Sequence, residues 1–252
     1  MPFPPFLNPM TPAPLALLCA VYREAEPLLG FLSPVLAAEI GHKRAYRGTL
    51  DGLEVIVLPT GMGKANAAQA LAALLENTAV RGVLGCGVAG AYPGSGLEVG
   101  DVALASEAIY GDEGVETPAG WIDTEAIGIP LLERHGEQRY NRIPLDAERV
   151  ERAAGALEAA GIAARVGPFV TVSRCSGTDA LGREQAARWR GLCETMEGAA
   201  WAHVAALYGA PFLELRGVSN QVGDRDPAGW RIDGAAEAAA SAARVVAAAW
   251  RR

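Results

Sequence analysis

From Leu15 onward, short apolar runs of strand length alternate with stretches of helical spacing, and this alternation narrows the possible folds more than any other feature of the chain. LALLCAVY, starting at Leu15, reads as a buried strand, and a helix follows directly from about Arg23. AYRGTL and LEVIVLP flank Asp51-Gly52, a hairpin signature. Residues 64–76 carry Ala and Leu at helical spacing, RGVLGCG is another buried strand, and GDVALASEAIY supplies a further one after a Gly/Pro-rich turn. A helix over 146–160, a strand over 165–173, a helix over 196–208, a strand over 211–219 and an Ala-rich helix from Gly234 complete the pattern. No linker or internal repeat interrupts it. The expectation is α/β: a single domain over residues 15–252, with a mixed, largely parallel, twisted sheet and helices on both faces. Residues 111–145 hold Pro118, Gly120, Gly128, Pro130 and Gly136 and read as a long loop, of the kind that usually binds or covers a ligand.

Composition excludes several classes. Half of the 252 residues are hydrophobic and 20% are charged, enough for a sizeable core and too apolar for intrinsic disorder. The net charge is −7 and no Lys/Arg stripe is present, so neither nucleic acid nor a membrane surface is the expected partner. No apolar run is long enough to span a bilayer. Cys19, Cys86, Cys175 and Cys193 lack C-x-x-C spacing and read as reduced thiols of the core or of an active-site wall in a cytosolic protein. His42, His135 and His203 have no metal-ligand spacing, and His203 reads as a packed helix residue. The first fourteen residues hold six prolines and no basic residue, which predicts a disordered leader over 1–14 in place of a signal peptide.

Two glycine motifs mislead. Gly85-Cys86-Gly87-Val88-Ala89-Gly90 matches G-x-G-x-x-G, but AYPGSGLEVGD follows, and it cannot form the helix that a dinucleotide fingerprint must open. A glycine-rich strand end approached closely by a ligand is the reading left. Gly61-Met62-Gly63-Lys64 has Leu58 and Ala65 where a P-loop needs Gly and Ser/Thr.

Three stretches carry chemistry when taken together. Ala20-Val21-Tyr22-Arg23-Glu24 puts an acid just beyond the first strand, Glu194-Thr195-Met196-Glu197-Gly198-Ala199-Ala200 puts one at a strand-to-helix junction, and Arg216-Gly217-Val218-Ser219-Asn220 is polar where an apolar strand ends. All three fall at strand carboxyl ends, where α/β sheets bind ligands. Singly, Glu24 caps a helix, Glu197 favours a helix N-terminus and Ser219-Asn220 makes a turn. In this order and together they point to a site.

That combination resembles the purine nucleosidase and nucleoside phosphorylase superfamily, especially the methylthioadenosine/S-adenosylhomocysteine nucleosidases and the related futalosine hydrolases. The likeness runs from Leu15 to the C-terminus through TGMGKANAA, GCGVAGAYPGSGLEVGDVALAS, TMEGAAWAHVA and LRGVSNQVGDRD. It implies a nucleoside phosphorylase-type, partly barrel-like fold and hydrolysis of an N-glycosidic bond without metal or organic cofactor. It also implies a homodimer or larger homo-oligomer in the bacterial cytosol. On this likeness Glu24 primes the attacking water, with neighbouring Glu26 as the alternative. Met196 and Glu197 hold the ribose, and Arg216 orients the carboxylates or the Ser219-Asn220 segment. Residues 173–179 cover the base, with Ser173, Thr178 or backbone groups in contact with it.

Two departures bear on the substrate. Adenine-specific members carry Asp where this chain has Asn220, and an Asn amide suits a 6-oxopurine, so the base implied is hypoxanthine, as in futalosine. Members often place a Ser where Val88 stands in the loop Gly87-Val88-Ala89-Gly90, so Glu24 and backbone groups are left to position water. The phosphate-holding G-D-x-x-R run of phosphorylases is missing, although Arg23 lies nearby. Futalosine carries a benzoate-bearing tail, for which Arg134, Arg139 and Trp121 are candidates, and Asp224, Arg225 and Asp226 are expected to order the base site through an ion pair. The alternatives are another purine nucleosidase, a phosphorylase, or a non-catalytic protein that keeps the fold.

Overall fold

The computed structural model describes residues 13–250. Most of the expected Pro-rich leader therefore lies outside the described residues; of it, Ala13 and Pro14 are described, and their carbonyls accept from Arg81.

β1 (Leu15–Cys19) is buried at all five positions, and its residues serve two cores. Leu15, Leu17 and Cys19 pack on one face and Ala16 and Leu18 on the other, which a sheet covered on both sides requires. α1 (Tyr22–Leu29) starts three residues later. β2 (Leu36–Ile40), β3 (Lys43–Leu50) and β4 (Leu53–Pro59) form an antiparallel meander. The β3–β4 turn falls on Asp51 and Gly52, both at positive φ (49° and 87°), as a two-residue hairpin of the strand-twist-matching type demands. α2 (Lys64–Asn77), β5 (Gly82–Ala91) and β6 (Val102–Tyr110) follow.

Residues 111–145 are not an irregular loop. They fold into the hairpin β7 (Gly114–Thr117)–β8 (Gly120–Asp123), the short helix α3 (Thr124–Ile127), the hairpin β9 (Leu132–Arg134)–β10 (Glu137–Arg139), and β11 (Arg142–Pro144) on the edge of β6. Strands of three or four residues are too short to show a period, and buried Asn141 ties the excursion down through Thr124 and the carbonyls of Tyr110 and Glu113. After α4 (Ala147–Ala159) and β12 (Ala164–Thr171) come α5 (Asp179–Trp189) and β13 (Cys193–Thr195), neither of which the periodicity announces. α6 (Gly198–Tyr208) begins two residues later than expected, so Met196 and Glu197 stand at its entrance and not in its first turn. β14 (Phe212–Gln221) and α7 (Ile232–Ala249) end the fold.

The sheet closes on itself. β5 pairs with β14, β14 with β6, β6 with β12, β12 with β13, and β13 with β5, a five-strand ring. β1, β4, β3 and β2 extend from β5 as an open wing. α1, α4 and α7 cover one face, and α2 and α6 the other. Among the described residues no helix is long and apolar enough to cross a membrane. His203, on α6, bonds the Tyr110 hydroxyl as a packed helix residue.

Candidate active site

A cavity of about 400 Å³ opens at the carboxyl ends of β1, β5, β13 and β14, where the chain leaves the sheet and backbone polar groups are free to meet a ligand. Glu24, Val88, Glu194, Glu197, Ser219 and Asn220 are among the residues that line it.

Glu24 occupies the third position of α1 and is buried, with its carboxylate turned back toward β1. Oε2 accepts from the N–H groups of Ala20 (2.8 Å) and Val21 (3.2 Å), and Oε1 accepts from the N–H of Val88 (2.8 Å). The last bond explains the glycine before it. A Cβ at Gly87 would lie 2.6 Å from Glu24 Oε1 and 3.0 Å from Arg216 Nη1, so only glycine lets β5 pass this close to the carboxylate. The glycine-rich strand end is thus built around a side chain of the site. Glu26 is exposed and lies outside the lining, which leaves Glu24 as the acid of this segment. Val88 lines the cavity and gives its N–H to Glu24.

Glu197, between β13 and α6, is 3% exposed. Oε1 accepts from the Gly63 N–H at 2.9 Å, and Oε2 lies 3.4 Å from Arg216 Nη2. The TGMGK turn therefore serves the carboxylate through backbone, while Lys64 pairs with Asp112 (2.5 Å) and Glu113 (2.7 Å) to anchor the start of α2. Burial pushes the Glu197 carboxyl above its ordinary range, against the pull of Arg216.

Arg216 is 1% exposed and acts as the hub. Its Nε donates to Glu214 Oε1 (2.9 Å), its Nη1 to the Val88 carbonyl (3.3 Å), and its guanidinium stacks 5.1 Å from the Trp201 ring centroid. Burial alone would lower its pKa, but Glu214 and Glu197 outweigh burial and drive it up. Glu214 is fully buried and, like Glu197, raised by burial. The sequence reading passed over it. Its signal was present: a lone acid in the apolar run FLELRG, two residues before Arg216 and so on the same strand face.

Ser219 and Asn220 reach the cavity through a register shift. Val218 pairs with Ala89 and Asn220 with Gly90, which leaves Ser219 as the extra residue of a bulge in β14. Bulges re-aim side chains in this way beside active sites. The Ser219 hydroxyl lies 2.8 Å from Asn220 Oδ1 and 3.2 Å from the Ala89 carbonyl, with one proton to give and the amide oxygen the nearer acceptor, and Asn220 Nδ2 donates to the Gln221 carbonyl (3.0 Å). One N–H and one lone pair of the Asn220 amide remain for a ligand.

Several expected residues sit elsewhere. Thr178 caps α5, accepting from the Leu181 N–H, and Ser173 donates its N–H to Asp112; neither lines the cavity. From that loop it is Cys175 and Ser176 that line it, because α5 begins early enough to turn Thr178 outward. Arg139 pairs with Glu137, Trp121 lies under Arg188, and the Arg134 guanidinium packs against Gly209, so none of the three tail candidates reaches this cavity. Arg225 and Trp230 line it instead, stacked at 4.7 Å. The Asp224–Arg225–Asp226 ion pair does not form: Asp224 binds the Asp179 N–H and Asp226 caps the turn at Pro227–Gly229. Arg23 lines the mouth with its fork already held by Asp233 at 2.5 and 2.9 Å. The four cysteines are free, with burial and the Glu194 charge pushing the Cys175 thiol up to about 11.

The sequence pattern of the Phosphorylase superfamily matches residues 14–251. The chain is 38% identical over 213 residues to a futalosine hydrolase of Thermus thermophilus, covering 84% of this chain and 89% of that one. It is 35% identical over 188 residues to a futalosine hydrolase of Streptomyces coelicolor, covering 72% and 73%. A 5′-methylthioadenosine/S-adenosylhomocysteine nucleosidase of Neisseria meningitidis, solved in complex with methylthio-immucillin-A, superposes with a TM-score of 0.80 at 26% identity over 93% of this chain and 98% of that one. A matched pattern that spans the described chain, together with two such relatives, makes this protein a member of the phosphorylase superfamily.

Proposed function

We propose that this chain hydrolyses the N-glycosidic bond of futalosine, releasing hypoxanthine and dehypoxanthine futalosine within menaquinone biosynthesis. The observation that carries the reading is the placement of Glu24, Glu197 and Asn220 around one cavity, in a chain whose curated relatives include futalosine hydrolases. Glu197, fixed by Gly63 and Arg216, accepts hydrogen bonds from the ribose 2′- and 3′-hydroxyls, with Met196 packed under the sugar. Its negative charge favours the positive charge that develops on the ring as the C1′–N9 bond lengthens. Asn220 meets the O6/N7 edge of the base, with Ser219 holding the amide by one hydrogen bond. Glu24, oriented by three N–H donors, takes a proton from the water whose oxygen bonds to C1′. The N9 electron pair leaves with the purine, which takes one proton from solvent while Glu24 returns to solvent the proton it took from water. Arg225 and Trp230 at the mouth supply a cation and an aromatic wall for the benzoate-bearing tail.

Hydrolysis is favoured over phosphorolysis because the guanidinium nearest the mouth on α1, Arg23, is occupied by Asp233. A homodimer or larger assembly in the bacterial cytosol belongs to the same reading. The test is chromatography of free base released from futalosine, inosine and methylthioadenosine, each with and without phosphate. Phosphate-independent release of hypoxanthine from futalosine supports the proposal; adenine from methylthioadenosine alone, or turnover only with phosphate, overturns it.

A further inference from the structure

We propose that Glu194 selects the base: its carboxylate accepts the N1–H of a 6-oxopurine and repels adenine, whose N1 carries a lone pair in place of a proton. The inference rests on the reading of the chain as a purine nucleosidase and adds a specificity residue to it.

The placement comes from the sheet. Glu194 on β13 and Asn220 on β14 are both register partners of Gly90 on β5, one on each side. Two inter-strand spacings put their backbones roughly 10 Å apart, a span that accommodates a purine with a hydrogen bond at either edge. Gly90 carries no side chain between them, and a Cβ there would meet Val222 Cγ2 at 2.8 Å and Asn220 Nδ2 at 3.1 Å. Asn220 faces the O6/N7 edge in the reading above, so the residue across Gly90 faces the N1 side of the same ring.

The chemistry of Glu194 fits an acceptor. It lines the cavity, is 7% exposed, and has no Lys, Arg or His within ion-pair distance among the described residues. Three neutral donors hold it: the Ser176 N–H on Oε1 (2.8 Å), and the Ser176 hydroxyl (2.6 Å) and Tyr92 hydroxyl (3.1 Å) on Oε2. A carboxylate accepts about four hydrogen bonds, which leaves one place, on Oε1. The remaining lone pair is satisfied by N1–H of hypoxanthine and left facing another lone pair by adenine.

Base binding by calorimetry tests this without depending on turnover. The wild-type protein should bind hypoxanthine roughly 10- to 100-fold more tightly than adenine and than 1-methylhypoxanthine, which lacks the N1 proton. Glu194→Leu, which removes the acceptor while keeping about the same volume, should bring hypoxanthine and adenine to within a few-fold of each other. Equal wild-type affinity for hypoxanthine and 1-methylhypoxanthine overturns the inference, as does an unchanged hypoxanthine-to-adenine ratio in a folded Glu194→Leu protein. The wild-type comparison stands even if the variant does not fold. Release of adenine but not hypoxanthine from nucleosides would overturn the parent reading, whereas hypoxanthine release with base affinities indifferent to Glu194 would sink this inference alone.

Discussion

Removing Arg216 should strand two buried carboxylates, and the size and pH dependence of the damage follow from the geometry. In Arg216→Met an unbranched apolar chain replaces the stem but the guanidinium that stacks on Trp201 is gone, so Glu214 loses its hydrogen bond at 2.9 Å and Glu197 its cation at 3.4 Å. Both acids are almost wholly buried, so solvent does not screen the loss. Breaking a buried pair by deleting one partner costs about 3–5 kcal/mol. For a domain of this size that lowers Tm by roughly 6–20 °C. Burial already holds both carboxyls above their ordinary values with Arg216 present, and its removal raises them further. A carboxyl whose pKa is higher in the folded than in the unfolded chain binds its proton preferentially when folded, so stability falls as pH rises from the unfolded value through the folded one. The deficit of the variant is therefore greatest at neutral and alkaline pH and shrinks as pH drops. Urea unfolding of wild type and variant at about pH 5.5 and about pH 8 measures it. Arg216→Met combined with Glu214→Leu should recover part of the loss, because one stranded charge is gone. A loss under about 1 kcal/mol, or one that is the same at both pH values, would refute the view of Arg216 as the counter-ion of this cluster.

Three further outcomes test the site. Glu24→Gln should lower turnover about 10²- to 10⁴-fold with little change in KM, read by steady-state kinetics, since the amide cannot take the proton of water. Gly87→Ala places a methyl 2.6 Å from Glu24 Oε1 on a strand paired on both sides, so turnover should fall about tenfold or more while circular dichroism stays that of the folded chain. Asn220→Asp should shift kcat/KM from 6-oxopurine toward adenine nucleosides by roughly 10-fold or more, measured with futalosine and methylthioadenosine in competition.

Much of the site could be read along the chain because its parts are local in sequence. Glu24 follows β1 by five residues, Met196-Glu197 follow β13 at once, and Ser219-Asn220 end β14, so each is an acid or amide at the end of an apolar run. What escaped depended on partners distant in sequence. Thr178 and Ser173 are suited to cover the base only in a loop without α5; the helix start claims Thr178 for its cap and Asp112 claims Ser173. Arg134, Arg139 and Trp121 lie in a segment whose glycines and prolines resemble a covering loop, whereas its hairpins engage them in contacts outside the cavity.

The division has a physical cause. Periodic burial, turn glycines and strand-end polarity are properties of a few neighbouring residues, and these determined the α/β class, the hairpin at Asp51-Gly52 and the three segments of the site. The closing of β5, β14, β6, β12 and β13 into a ring is a matter of register between strands up to 130 residues apart, which no local pattern encodes. Only that closure brings Glu197 to the guanidinium that Glu214 already meets along β14, slips β14 by one residue at Ser219, and places Glu194 across Gly90 from Asn220. A carboxylate's protonation and role depend on what lies opposite it, and the tertiary structure alone decides that.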